Sequence, residues 1–212
     1  MKITYLESVD STQTYLKNGL KDNSFEIPHA IVAQKQTDGI GSRGNEWKSI
    51  DGNLFLSFAV DVESLPQDLK MESSSIYFAY LLKETLSEFG SAVWLKWPND
   101  FYIDDLKIGG MITNIVDNTL ICGVGLNLVN SPEGFSILDI KLHKDELLKK
   151  YFKKIKKKIS WKQVFSKYKL EFYRNKNFFT HKNNLKISLD KAELQDDGSI
   201  LLSNDERIYS LR

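Results

Sequence analysis

The sequence predicts an α+β fold: a mixed, largely antiparallel sheet flanked by helices, with a reduced β appendage at the C-terminus. Three observations carry this. Short apolar runs with strand-like alternation come in neighbouring pairs joined by turns, as across Asp104-Asp105. Helical spacing appears in separate blocks instead of after every strand, which argues against a doubly wound parallel sheet. No apolar run reaches 18 residues, so no membrane-spanning segment is expected.

In chain order, Lys2–Leu6 reads as a short strand, and Asp10-Ser11-Thr12 as the polar entry to a helix through Thr14–Lys17. Ala30–Gln34 is a compact apolar strand, and Thr37–Trp47, rich in glycine and polar residues, is a loop. Asn53–Val60 resumes the sheet. Ser73–Phe89 places Ile76, Phe78, Ala79, Leu82, Leu86 and Phe89 at helical spacing, predicting an amphipathic helix. Trp94–Trp97 is a strand stopped by Pro98. Phe101–Ile103, Lys107–Val116 and Thr119–Leu128 are further strands. Asp145–Ile159 and Ser160–Tyr173 read as helices with lysine-rich outer faces, and Phe178–Leu185 has no clear pattern. Leu185–Leu189, Lys191–Leu194 and Ser199–Leu202 are short strands around the turn Asp196-Asp197-Gly198.

The 212 residues suit one medium domain, and 42% apolar content is enough for a core. The opening MKITYLESVDST lacks the apolar stretch of a secretory signal. The single cysteine, Cys122, has no internal partner and lies in an apolar run, as a core residue does. A cytoplasmic setting is expected. Net charge is only +1, yet residues 141–191 hold 17 Lys+Arg against 4 Asp+Glu, and the remainder 12 against 24. Such a basic stretch is either a solvated helix face or a surface for an acidic partner.

Five segments have the composition of chemistry. Gly39-Ile40-Gly41-Ser42-Arg43-Gly44 offers backbone N–H groups and one guanidinium for an anion, or is simply a surface loop. It lacks both the Rossmann context and a Walker lysine. Lys96-Trp97-Pro98-Asn99-Asp100 ends a strand on groups able to hold a ribose, a phosphate or a metal. Lys107 stands just before Gly109-Gly110, where an ammonium could face a ligand admitted by the glycines. Gly123-Val124-Gly125-Leu126-Asn127 closes a buried strand, and Ser11-Thr12-Gln13 opens a helix. His29, His143 and His181 are isolated, and no Gly-x-Ser-x-Gly elbow occurs, which argues against a zinc enzyme and a serine hydrolase.

In this order and spacing, the five segments resemble the catalytic domain of biotin protein ligases, over roughly the first 140 residues. Ser11-Thr12 matches that family's early Ser-Thr pair. Gly39–Trp47, with Gln36 upstream, matches its glycine-arginine loop, and Lys96–Asp100 keeps its Lys-Trp-Pro-Asn-Asp signature intact. Lys107 matches the catalytic lysine, and Gly123–Asn127 the Gly-x-Gly-x-Asn strand. The resemblance implies a fold related to class II aminoacyl-tRNA synthetases and lipoate ligases. Residues 1–182 would form the catalytic domain and 183–212 a truncated SH3-like segment. The chain starts at the catalytic domain, so the repressor activity of bifunctional relatives is not expected.

The implied activity is ATP-dependent ligation of biotin to a lysine of a biotin carboxyl carrier domain through biotinyl-5′-AMP, with Mg²⁺ on the phosphates and no metal site fixed by the protein alone. Lys107 and Arg43 would be catalytic. Biotin would meet Ser11, Thr12, Gln13, Gln36, Gly39, Ile40, Gly41, Ser42, Lys107 and Gly110. Nucleotide and phosphates would meet Arg43, Gly44, Asn45, Trp47, Lys96, Asn99, Asp100 and Asn127. Ile40, Ser42 and Asn45 stand where the family usually has basic residues, which implies a weaker hold on the adenylate and pyrophosphate. The carrier is the expected partner, without DNA or membrane, and monomer and weak homodimer stay open. Two other readings are weighed: a lipoate or octanoate ligase of the same superfamily, needing a longer apolar tunnel, and a non-catalytic nucleic-acid-binding module using residues 141–191.

Overall fold

The computed structural model describes residues 1–182 and 185–210, including the backbone but not the side chain of Arg43. Among these residues the chain forms β1 (Lys2–Val9), α1 (Thr12–Lys21), β2 (His29–Gln36), β3 (Leu54–Asp61), α2 (Ser74–Glu88), β4 (Trp94–Lys96), β5 (Asp100–Ile103), β6 (Leu106–Val116) and β7 (Thr119–Leu126). There follow α3 (Lys144–Lys156), α4 (Trp161–Glu171), β8 (Phe179–Lys182), β9 (Leu185–Ser188), β10 (Glu193–Leu194), β11 (Ile200–Leu201) and β12 (Arg207–Ile208). The first seven strands make one sheet in the order β1-β2-β3-β7-β6-β5-β4. Only β1 and β2 run parallel; every other neighbouring pair is antiparallel. The predicted mixed, largely antiparallel sheet flanked by helices is therefore the fold.

Strand alternation assigns the two faces. Ala30, Val32, Phe58, Val60, Leu120 and Cys122 point to one side, into the core shared with α2, α3 and α4. Ile31, Ala59 and Ile121, each one residue out of step, point to the other, where Leu16 of α1 covers them. Phe58 meets Phe78, Tyr151 and Phe152 edge-on at 5.4–6.0 Å, a favoured aromatic geometry. Burial pushes the Cys122 thiol pKa well up, as expected of a core cysteine.

Two sequence expectations need correction. Helix α2 is not one-sided: Ser74 through Leu82 are all buried, because the sheet, α3, α4 and the C-terminal segment surround it. Ser73 Oγ donates to the Asp197 carbonyl, and a Cβ on Gly198 would lie 2.8 Å from Ile76 Cδ1. The patternless stretch after Phe178 contains strand β8, paired antiparallel with β9, and β12 is a strand the sequence reading passed over. Both are two to four residues long, too short for alternation to register. The expected division between 182 and 183 falls in the β8–β9 turn, whose Asn183 and Asn184 lie outside the described residues, as do Leu211 and Arg212. Leu189, Ile200 and Ile208 are buried in the main core. No helix among the described residues is long and apolar enough to cross a membrane.

Two buried amides hold the loops that frame the sheet's open end. Asn175 Oδ1 accepts from the Trp97 backbone N–H at 2.7 Å. Asn53 Oδ1 accepts from the N–H groups of Leu128, Val129 and Asn130 at 3.0–3.3 Å, while its Nδ2 donates to the Asn130 carbonyl at 2.7 Å. Asn53→Ala strands these groups, so it should cost about 2–4 kcal/mol of stability, read as a lower urea midpoint with unchanged m-value.

Candidate active site

A patch of sheet without side chains forms the floor of the site. Gly110 of β6 pairs with Gly125 of β7, and Gly123 pairs with Ile112 on one side and Ser57 on the other. Gly123 and Gly125 share the face of Ile121, the face that α1 covers. Three side chains lie over the glycines. Trp47 lies on Gly125 so closely that a Cβ there would be 2.3 Å from its Cε2. The Gln13 amide is 3.6 Å from the Cβ position of Gly123, and Lys107 Nζ is 3.6 Å from that of Gly110.

The N-terminus of α1 builds a polar end. Ser11 caps the helix, its Oγ accepting from the Thr14 N–H at 3.4 Å. Thr12 donates to Gln36 Oε1 through N–H (2.9 Å) and Oγ1 (3.0 Å), and Thr12 Oγ1 lies 2.8 Å from Ser57 Oγ. Gln13 Nε2 is buried without a hydrogen-bond partner, a donor that a ligand acceptor would satisfy.

The glycine segment is a closed hairpin, not a free surface loop. The Trp47 N–H donates to the Gly39 carbonyl at 2.7 Å, Ile40 bridges Glu46, and the Gly41 N–H donates to the Asn45 carbonyl at 2.7 Å. A 3₁₀ turn at Ser42–Gly44 closes it, with Gly44 at φ +75°. The hairpin delivers Trp47 onto Gly125, and the indole Nε1 there is also buried without a partner. The side chain of Arg43, expected on the phosphates, lies outside the described residues.

A β-bulge aims the lysine. Lys107 and Gly110 are three residues apart and would face opposite ways in a regular strand. The β5–β6 register slips at Phe101/Tyr102, so that Tyr102 pairs with Lys107 and Phe101 with Gly109. The extra residue, Ile108, is buried, and Lys107 turns to the glycine face. Its Nζ is 2.6 Å from Asp100 Oδ1, and Lys96 Nζ is 3.6 Å from Asp100 Oδ2. Burial pushes the Asp100 pKa up, but the Lys107 and Lys96 ammoniums outweigh it and hold the carboxyl below its ordinary value. The Asn99 amide is fixed by donating to the Met111 carbonyl at 2.6 Å.

Two connected spaces result. A cavity of about 50 Å³ is lined by Ser11, Thr12, Gln13, Gln36, Ile40, Gly41, Ser42 and Trp47, together with Asn99, Asp100, Lys107 and Gly110. A groove of about 760 Å³ shares Gln13, Ser42, Asn99, Asp100 and Lys107 with it and adds Asn45 and Lys96. The sequence-predicted residues are thus largely brought together. Three stand apart. Gly39 is buried behind Trp47; a Cβ on it would be 2.4 Å from the Trp47 carbonyl oxygen. Gly44 sits at the hairpin tip, and Asn127 faces Asn53 and donates to the Ser136 carbonyl, joining loops beneath the site. The sequence reading left Ser57, Ile112, Gly123 and Gly125 out of the ligand set, together with the hairpin residues Phe179, His181 and Lys186. The paired glycines in one strand were the available signal for the floor; of the hairpin only strand β9 was legible, and nothing in it pointed to the groove. No group of three His, Cys, Asp or Glu able to hold a metal occurs among the described residues, and Asp100 is already held by two ammoniums.

Comparison with known proteins agrees with this geometry. Residues 5–127 match the model of the biotin/lipoate A/B protein ligase family. The bifunctional ligase/repressor BirA of Escherichia coli K12 is 30% identical over 133 residues, spanning 59% of this chain and 40% of that protein. The human biotin–protein ligase is 28% identical over 163 residues, 68% of this chain and 22% of its own length. The chain therefore spans about two fifths or less of these curated relatives. A crystal structure of the Helicobacter pylori biotin acetyl coenzyme A carboxylase synthetase, with bound biotinylated ATP, superposes with a TM-score of 0.94 at 40% identity, covering 98% of this chain and 99% of that one. The Aquifex aeolicus biotin protein ligase, with biotin and ATP, has the same fold at 24% identity and a TM-score of 0.78. The chain belongs to the biotin/lipoate A/B protein ligase family.

Proposed function

We propose that this chain activates biotin with ATP and transfers it to a lysine of a biotin carboxyl carrier domain. The observation that carries this reading is a single trough with a hydrogen-bonding end at Thr12, Gln13, Gln36 and Ser57, an ammonium at Lys107, and a wide groove leading away from that ammonium. A ureido head presents donors and acceptors that need partners when buried, and the polar end supplies them. A lipoate or octanoate chain would leave the buried Gln13 amide N–H unpaired, and a site built to hydrogen-bond its substrate strongly rejects an analogue that cannot. The likeness to the H. pylori structure with biotinylated ATP supports the same choice.

In the first step a biotin carboxylate oxygen attacks the α-phosphorus of ATP. The α–β phosphoanhydride bond breaks, and its electron pair leaves on pyrophosphate, giving biotinyl-5′-AMP. Lys107 stands between the two anions, and its three donors let it keep Asp100 while meeting both. Asp100 positions that ammonium; Asn99, Lys96, Asn45 and Arg43 are assigned to the nucleotide. Among the described residues none build a Mg²⁺ site, so Mg²⁺ is assigned to the substrate as the Mg²⁺–ATP complex. In the second step the carrier's neutral ε-amine attacks the acyl carbon, AMP leaves with the anhydride oxygen and its electron pair, and the amine nitrogen loses one proton to solvent. Residues 183–212 are assigned as a reduced SH3-like segment packed on the catalytic part.

The test is incubation with Mg²⁺, ATP and biotin, with mass spectrometry for biotinyl-5′-AMP; absence of that product, or equal activation of lipoate, would overturn the assignment. Lys107→Ala should lower adenylate formation by about 10²–10³-fold while the far-ultraviolet circular dichroism spectrum stays that of the wild type and the melting temperature falls by the lost Asp100 ion pair. Gly125→Ala drives a Cβ into the Trp47 indole and should weaken biotin binding by about tenfold or more, measured by calorimetry. Asp100 has a depressed folded pKa, so its ion pairs stabilise the fold above the ordinary value of 3.8 and that stability is lost as pH falls through the folded value. Urea midpoints from about pH 5 to about pH 2.5 should fall more steeply for the wild type than for Asp100→Asn.

A further inference from the structure

Resting on the ATP-driven reading, we propose that the β8–β9 hairpin holds the pyrophosphate end of the nucleotide, with Lys186 as its principal cation and His181 beside it. His181 and Lys186 are directly paired across the two strands, so their side chains share one face of the hairpin. Phe179, two residues before His181, lies on the same face, and all three line the groove that contains Lys96, Asp100 and Lys107. The alternate residue Thr180 is buried and also contributes to the groove wall. Lys186 Nζ stands 4.1 Å over the Phe179 ring, a cation–π contact that holds the ammonium toward the groove.

The reaction's geometry calls for a cation there. With the carboxylate and the α-phosphate at Lys107, the departing phosphates point away along the groove, because attacking and leaving oxygens lie roughly in line. Breaking the α–β bond leaves an added negative charge on pyrophosphate. The glycine hairpin meets the groove with the neutral side chains Ile40, Ser42 and Asn45. Lys96 is buried and shares Asp100 with Lys107. Among the described side chains lining the groove, the remaining basic groups are Lys186 and His181.

The experiment uses the full chain and Lys186→Ala, with Lys186→Arg as the charge-conserving control. Inorganic pyrophosphate is titrated into each by calorimetry, and biotin-dependent ATP–pyrophosphate exchange is measured. Losing one charge-assisted contact should raise the pyrophosphate Kd and the KM values for pyrophosphate and ATP by about tenfold, leave biotin affinity unchanged, and be largely restored by arginine. Lys186 is exposed, so the melting temperature should hold. Unchanged pyrophosphate binding and exchange in Lys186→Ala overturn the proposal. A rise confined to the carrier KM, in transfer from preformed biotinyl-5′-AMP, also overturns it and assigns the hairpin to the acceptor. If the wild type catalyses no exchange at all, the ligase reading fails first, and this one with it.

Discussion

A row of glycines where a sheet would ordinarily carry side chains is the constraint from which the site follows. Gly110 and Gly125 face each other across two strands, and Gly123 continues the row toward Ser57. Backbone there is paired within the sheet, so the floor is rigid, yet nothing projects from it. Whatever covers such a floor must come from elsewhere: Gln13 from a helix start, Trp47 from a hairpin, Lys107 from a bulged strand. Each reaches in from a different element, and a side chain on Gly125 would collide with one of them. The trough's depth is thus set by the absence of atoms, and its chemistry by three converging side chains.

Much of this was readable in the sequence because the periodicities involved are strong. The alternation of Asn53–Val60 and the apolar run around Ile31 placed central strands correctly, and the polar start at Ser11 marked a true helix cap. Residues with distinctive backbone chemistry, such as Gly41, Pro98 and Gly110, also announced themselves. What escaped was set by long-range packing. The α2 pattern looked one-sided because Ser74, Ser75 and Thr85 are polar, but they are buried in a helix that the sheet, α3 and α4 surround. Asn127 looked like a ligand group because it ends a glycine strand; the structure uses it to fasten loops through Asn53. Strand β9 was read from the sequence, but its partner β8 is too short to declare itself, so the hairpin that walls the groove went unrecognised.

The charge asymmetry of the sequence also acquires a place. Lysine-rich α3 and α4 pack on the face opposite the glycine floor, with Lys154 and Lys167 tied to Glu84 of α2. An acidic carrier seated on that surface would hold its acceptor lysine on the wrong side of the sheet. The solvated-face reading therefore fits those helices, and among the described side chains the lysines that line the groove come from β4, β6 and β9.

The Lys96–Asp100–Lys107 cluster bears on how the reaction could end as well as how it begins. An ammonium that binds anions by itself is left bare each time one departs, and a bare buried charge resists letting go. Here a carboxylate 2.6 Å from Lys107 stays behind as a permanent companion. In the proposed reaction each departing anion would leave a cation already compensated, so the carboxylate that orients the lysine would also ease the exit of products.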